Sequence, residues 1–254
     1  MGDRLRGKAA VVTGAGSGIG RATAARFAAE GASVVIADVD ESGGRETLGD
    51  IERAGGTAAY VPTDVARSGQ VEKMIDETLD RFGELDILVN CAATLINTPM
   101  LQDTEESHWD RMMEVNLRGT FLCCKYALPA MRESGGGAIV NVAAMSAFRG
   151  PTPSIPYEVA KAGVVHLTKA SAYQYTPLGI RINCIAPGNV ETPLLQRGTG
   201  DAESWARRRE AQPMKRFGRP EELANVILFA ASDEASWISG VTIIVDGGKW
   251  AALQ

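Results

Sequence analysis

The sequence predicts an α/β fold, one domain spanning residues 1–254, with a seven-stranded parallel sheet and helices on both faces. Three observations predict it. Seven short runs rich in Val and Ile recur along the chain, amphipathic stretches lie between them, and no Pro/Gly/Ser-rich linker divides the sequence. Short apolar runs alternating with helical patterns are the signature of strands joined by helical crossovers.

The strand runs, in order, are Ala9–Thr13, Ser33–Ala37, Ala58–Val61, Ile87–Val89, Ala138–Val142, Arg181–Ile185 and Thr242–Val245. They are nearly continuous in apolar residues, as strands covered on both faces are. Helical patterns occupy Arg21–Glu30, Val71–Phe82, Ser107–Met131 and Tyr157–Tyr175. Residues 191–219 break the alternation. They are polar, carry Gly198 and Gly200, and read as an inserted substrate lid or a mobile loop.

Composition narrows the function. Hydrophobic residues make up 45% of the chain, too many for a disordered protein. The net charge is −5 and no basic stripe stands out, which argues against a nucleic-acid or anionic-membrane partner. No apolar run reaches the roughly 18 residues of a membrane span. The start, MGDRLRGKAAVV, is charged where a signal peptide is apolar, so a cytoplasmic protein is expected. Four cysteines without a CxxC pair, and only two histidines, count against disulfide scaffolds, metal sites and Ser-His-Asp hydrolysis.

The first strand runs into Thr13-Gly14-Ala15-Gly16-Ser17-Gly18-Ile19-Gly20 and at once into a helix. Glycines at 14, 18 and 20 permit a tight turn, close approach to a pyrophosphate and close helix–strand packing. The N–H groups of Ser17, Gly18, Ile19 and Gly20 at the helix start then suit phosphate. The second strand ends in Asp38, 20 residues past Gly18. A carboxylate there accepts from the ribose 2′-hydroxyl of NAD and repels the 2′-phosphate of NADP, so NAD is the expected cofactor. Tyr157 and Lys161 are four residues apart and share a helix face. An ammonium beside the phenol favours phenolate and is expected to lower its pKa.

TGAGSGIG, Asp64-Val65, Asn116, Tyr157-Glu158-Val159-Ala160-Lys161 and Pro187-Gly188 run in one order, through to Asp246-Gly247-Gly248. This set resembles the short-chain dehydrogenase/reductase family over essentially the whole chain. The resemblance implies a Rossmann-type doubly wound domain, usually a homotetramer, that interconverts a secondary alcohol and a ketone by hydride transfer. It implies Tyr157 as acid/base, Lys161 as its activator and ribose ligand, and Asn116 as a relay from Lys161 to water. It further implies Asp64 and Val65 at the adenine, and Asn90 after the fourth strand. Pro187, Gly188, Val190 and the Thr192 hydroxyl are implied at the nicotinamide end. A turn or capping role is the lesser alternative reading for Asp64 and Thr192.

Two departures stand out. Asn90-Cys91-Ala92-Ala93 replaces the family's NNAG, and Cys91 reads as a small buried apolar residue. The family serine lies 13 residues before the tyrosine, where this chain has Ala144. Three explanations stay open. Ser146, two residues on along an extended strand, supplies the hydroxyl; the substrate or a water does so; or the chain is a dinucleotide-binding pseudoenzyme or sensor with weakened catalysis. The pocket wall is assigned to Leu95, Met145, Phe148, Asn189, Leu194 and Leu195, with Trp205 on the lid, and Pro151, Pro153 and Pro156 stiffening the approach to Tyr157. No guanidinium is placed for a carboxylate, and Arg207-Arg208-Arg209 reads as a solvated face, so an uncharged alicyclic or aromatic alcohol is expected. Apolar residues including Phe121, Leu122, Val164, Val165 and Leu167, with the segment 243–253, are the expected subunit contacts.

Overall fold

The computed structural model describes residues 2–149, 154–198 and 200–251. Its seven strands are β1 (Ala9–Thr13), β2 (Ser33–Asp38), β3 (Thr57–Pro62), β4 (Ile87–Asn90), β5 (Gly137–Val142), β6 (Ile180–Pro187) and β7 (Thr242–Val245). All pair in parallel in the order β3-β2-β1-β4-β5-β6-β7. The chain fills one half of the sheet from β1 to β3 and then crosses to β4 on the other side of β1. In such sheets the crevice opens at the carboxyl ends of the strands where the order reverses.

The helices are α1 (Gly18–Ala29), α2 (Glu41–Arg53), α3 (Ser68–Phe82), α4 (Glu106–Met113), α5 (Gly119–Glu133), α6 (Ile155–Tyr175), α7 (Pro193–Arg197), α8 (Ala202–Glu210) and α9 (Pro220–Ala231). Strand side chains alternate between two cores, as the two-residue period requires. Val11, Val35, Leu88 and Ile139 pack with Met74 of α3 and Leu122, Ala127 and Met131 of α5. Ala10, Val12, Ile36, Val89 and Val140 pack with Phe27 of α1 and Leu223, Ile227 and Leu228 of α9.

The structure departs from the sequence-based expectations in three places. The edge strands β3 and β7 are only partly buried, because each has one neighbour and incomplete helical cover. The single helix expected over Ser107–Met131 is broken by a π-helical turn, Glu114–Arg118, between α4 and α5. Such wide turns displace one residue from the regular helical face and recur at functional sites; here they carry Asn116. Residues 191–219 are not an irregular loop but hold α7 and α8. Their two ends are clamped, with Glu191 N–H donating to Gly218 O at 2.9 Å and Gly218 N–H to Asn189 O at 2.9 Å. Pro151, Pro153 and residues 252–253 of the expected subunit contact lie outside the described residues.

Candidate active site

The ends of β1 and β4 are neighbours, with Thr13 opposite Asn90. The Thr13 hydroxyl accepts the main-chain N–H groups of Cys91 (3.1 Å) and Ala92 (3.2 Å), drawing the β4 exit against the turn after β1. That turn has no room for side chains. Gly14 sits at φ 66°, and a Cβ there would lie 2.7 Å from Ala92 Cα; a Cβ on Gly20 would lie 2.1 Å from Gly14 O. A groove of about 450 Å³ follows, lined by Gly14, Ser17, Gly18, Ile19, Gly20, Asp38, Asp64, Val65 and Thr192.

The groove suits a dinucleotide. The Cβ-free turn gives a bound phosphate close access to backbone. The first N–H groups of α1 lack intrahelical partners and carry the positive end of the helix dipole. Asp38 stands at the end of β2, its carboxylate accepting Gly16 N–H at 2.7 Å and Asp40 N–H at 2.9 Å. Asp64 closes its own turn on Ala66 N–H at 3.0 Å, with Arg111 3.9 Å away.

A cavity of about 360 Å³ adjoins the groove, sharing Ile19, Cys91, Ala93, Thr192 and Leu194 with it. Tyr157 and Lys161, one turn apart on α6, line this cavity. Lys161 is 2% exposed, and its Nζ donates to Val142 O at the end of β5 at 2.9 Å. The same Nζ stands 5.8 Å from the Tyr157 ring centroid. Burial pulls Lys161 down from the ordinary lysine range to about 8. Burial also raises Tyr157 well above the usual phenol value. The direction is opposite to the expected lowering of the Tyr157 pKa, because burial penalises the charged phenolate.

A family described as Enoyl-(Acyl carrier protein) reductase matches residues 14–249. The chain belongs to the short-chain dehydrogenase/reductase family. It is 42% identical over 254 residues to an uncharacterised oxidoreductase of Bacillus subtilis, covering 98% of this chain and 93% of that one. It is 42% identical to the cis-4-hydroxycyclohexanecarboxylate dehydrogenase of Sinomonas cyclohexanicum, covering 99% and 100%. The crystal structure of levodione reductase superposes with a TM-score of 0.95 at 35% identity, covering 98% and 100%.

Within this short-chain dehydrogenase/reductase the predicted residues separate into those at the cavities and those behind them. Pro187, Gly188, Asn189, Val190, Met145, Leu95, Leu194 and Leu195 all line the 360 Å³ cavity. Phe148 does not; the turn after β5 carries it outward, edge-on to Trp250 with centroids 5.9 Å apart. Trp205 likewise packs on Phe217, at 4.7 Å, rather than lining the cavity. Asn90 lies behind the groove, its amide donating to Asn141 Oδ1 at 2.8 Å in a buried tie that continues to Thr168. Asn116, fully buried on the π turn, holds the loop after β4. Its Nδ2 donates to Thr94 O at 2.9 Å and its Oδ1 accepts Thr94 N–H at 3.0 Å, so its amide meets Thr94 and not Lys161. The Thr192 hydroxyl caps α7, accepting Leu195 N–H at 3.2 Å. Cys91 is held protonated by burial, which lifts its thiol to about 12, so it is no nucleophile.

Ser146 reaches the cavity by a different route from the one expected. The extended strand ends before it, and Met145–Phe148 form a 3₁₀ turn. The turn nevertheless presents Ser146 to the cavity lined by Tyr157 and Lys161, with its Oγ buried and unpartnered among the described residues. The expectation that no guanidinium meets the cavity fails: Arg149 and Arg208 both line it, with Lys249 and Gln212. Sequence reasoning also missed Thr13, whose position at a strand end beside the glycine turn was its only signal.

Proposed function

We propose that this chain is an NAD(H)-dependent oxidoreductase, a single domain that interconverts a secondary alcohol and a ketone, with residues 191–219 as its substrate lid. The observation that carries the reading is the meeting of two sites: the Tyr157–Lys161–Ser146 cavity opens into the glycine-turn groove that ends on Asp38. The relative named as a dehydrogenase of a hydroxycyclohexane compound supports a ring-bearing secondary alcohol as substrate.

A bound nicotinamide dinucleotide supplies the hydride acceptor or donor. The chain's own residues handle the proton and the developing charge. In ketone reduction the Tyr157 hydroxyl donates its proton to the substrate oxygen; in alcohol oxidation the phenolate accepts it. Lys161, held at Val142 O, presents positive charge over the ring and favours the phenolate in opposition to burial. Ser146 donates a hydrogen bond to the substrate oxygen as charge gathers there, in place of the hydroxyl missing at Ala144. Asn116 is a positioning residue that fixes the loop beside the groove through Thr94. The pseudoenzyme alternative is not favoured, given the unpartnered Ser146 hydroxyl in the cavity and a 42% identical relative named as a dehydrogenase.

We further read the protein as a cytoplasmic homotetramer. All four cysteines are unpaired, which fits a reducing compartment. Phe121 on α5 and Ile155, Val159 and Tyr173 on α6 are exposed, the last at 88%, and support association through these helices. Leu122, Val164 and Val165 are instead buried within the chain. Among the described residues no helix is long and apolar enough to cross a membrane.

Asp38→Ala should reduce the preference for NADH over NADPH by about tenfold or more, read as kcat/KM with each; an unchanged ratio removes Asp38 as the selector. Ser146→Ala should lower kcat by on the order of 10²-fold while NADH binding holds, and an unchanged kcat removes Ser146 from catalysis. The raised Tyr157 pKa makes phenolate the minority form at neutral pH. Alcohol oxidation should therefore accelerate from about pH 6 to about pH 9 while ketone reduction stays level or falls. Oxidation that slows over the same range contradicts Tyr157 as the base.

A further inference from the structure

We propose that the substrate cavity selects secondary alcohols and ketones that carry a carboxylate, received by Arg208 of α8 together with Arg149. This rests on the oxidoreductase reading and adds to it a second, non-reacting anchor. Four basic side chains line the cavity: Arg149, Lys161, Arg208 and Lys249. No Asp or Glu lines it among the described residues, in a chain whose net charge is −5. Lys161 serves Tyr157. The other three lie in the part of the cavity that the dinucleotide groove does not share, so the phosphates of a cofactor at α1 do not account for them.

The arrangement of α8 selects one arginine of three. Arg207 and Arg209 are exposed, and Arg207 pairs with Glu203 on the same helix at 2.5 Å. Arg208, between them, is half-buried and turns to the cavity. The helix that carries it is fixed at both ends. Asp201 caps its start by accepting Ser204 N–H at 2.8 Å, and Trp205 packs edge-on to buried Phe217. Past its end, Gln212 is 4% exposed and donates to Arg208 O at 2.6 Å, and Lys249 Nζ donates to Ala211 O at 2.9 Å. Arg149 approaches from the 3₁₀ turn that also carries Ser146.

Arg149 and Arg208 each make a contact within the protein, and a guanidinium with five N–H donors keeps others for a ligand. A planar carboxylate matches that fork in a bidentate pair, the stronger kind of hydrogen-bonded ion pair. Leu95, Met145, Leu194 and Leu195 supply apolar wall for the body of the molecule. A cavity of about 360 Å³ stands at the small end of the roughly 300–1,000 Å³ range of ligand pockets, which suits a single-ring acid. A lining that carries basic side chains and no Asp or Glu among the described residues raises the local concentration of anions.

The test compares 4-oxocyclohexanecarboxylate with 4-methylcyclohexanone as substrates. In parallel, calorimetry compares cyclohexanecarboxylate with cyclohexanecarboxamide as ligands of the wild type, Arg208→Leu and Arg149→Leu. In the wild type the acid should have a KM lower by about tenfold or more, and the carboxylate should bind more tightly than the amide by a similar factor. In Arg208→Leu both ratios should fall towards one, with a partial fall in Arg149→Leu. Equal handling of acid and neutral compounds by the wild type overturns the proposal, as does a preference that survives in both variants. Carboxylate-selective binding without turnover of either ketone counts instead against the oxidoreductase reading and leaves the anion site standing.

Discussion

The close approach of two backbone segments governs the rest of this structure. Where β1 and β4 lie side by side, the Thr13 hydroxyl draws the Cys91 and Ala92 amides against the glycine turn. A single methyl group on Gly14 or Gly20 would collide with backbone there. That contact sets the start of α1, and so aims the helix's unpaired N–H groups into the groove. It also sets the path of the chain after β4, which Asn116 then holds through Thr94. Ala92, the alanine that NNAG and NCAA share, brings its backbone against the turn.

The catalytic side of the site obeys an opposing pair of forces. Lys161 and Tyr157 share a wall from which water is largely excluded, and burial drives both towards their neutral forms. Attraction between ammonium and phenolate drives them the other way. The Val142 carbonyl holds Lys161 in place at the carboxyl end of β5, beside Tyr157.

Much of the fold was legible because parallel strands covered by helices read as short Val- and Ile-rich runs. All seven appear within a residue or two of their predicted bounds. Less was legible where tertiary contacts decide. The α2 helix carries Gly43 and Gly44, which weaken its helical propensity, and few apolar residues to mark a face. The π turn at Glu114–Arg118 has no periodic signature. The site followed the same rule. The motif residues Gly14, Gly18, Asp38, Tyr157 and Lys161 could be placed from spacing, whereas Phe148 and Trp205 could not, because their partners Trp250 and Phe217 are distant in sequence. Three consecutive arginines necessarily point in different directions on a helix, but only the packing of α8 selects Arg208 for the cavity. Ser146 lines the cavity because a 3₁₀ turn, not strand alternation, carries it there.

The most direct test of the account compares wild type with Tyr157→Phe, using deuterium at nicotinamide C4 of NADH and a cyclic ketone. The wild type should transfer the label to the carbinol carbon, and the variant should bind NADH with similar affinity while losing turnover by on the order of 10³-fold. A variant that binds NADH and reduces the ketone at close to the wild-type rate would contradict Tyr157 as the proton donor, and with it the central claim.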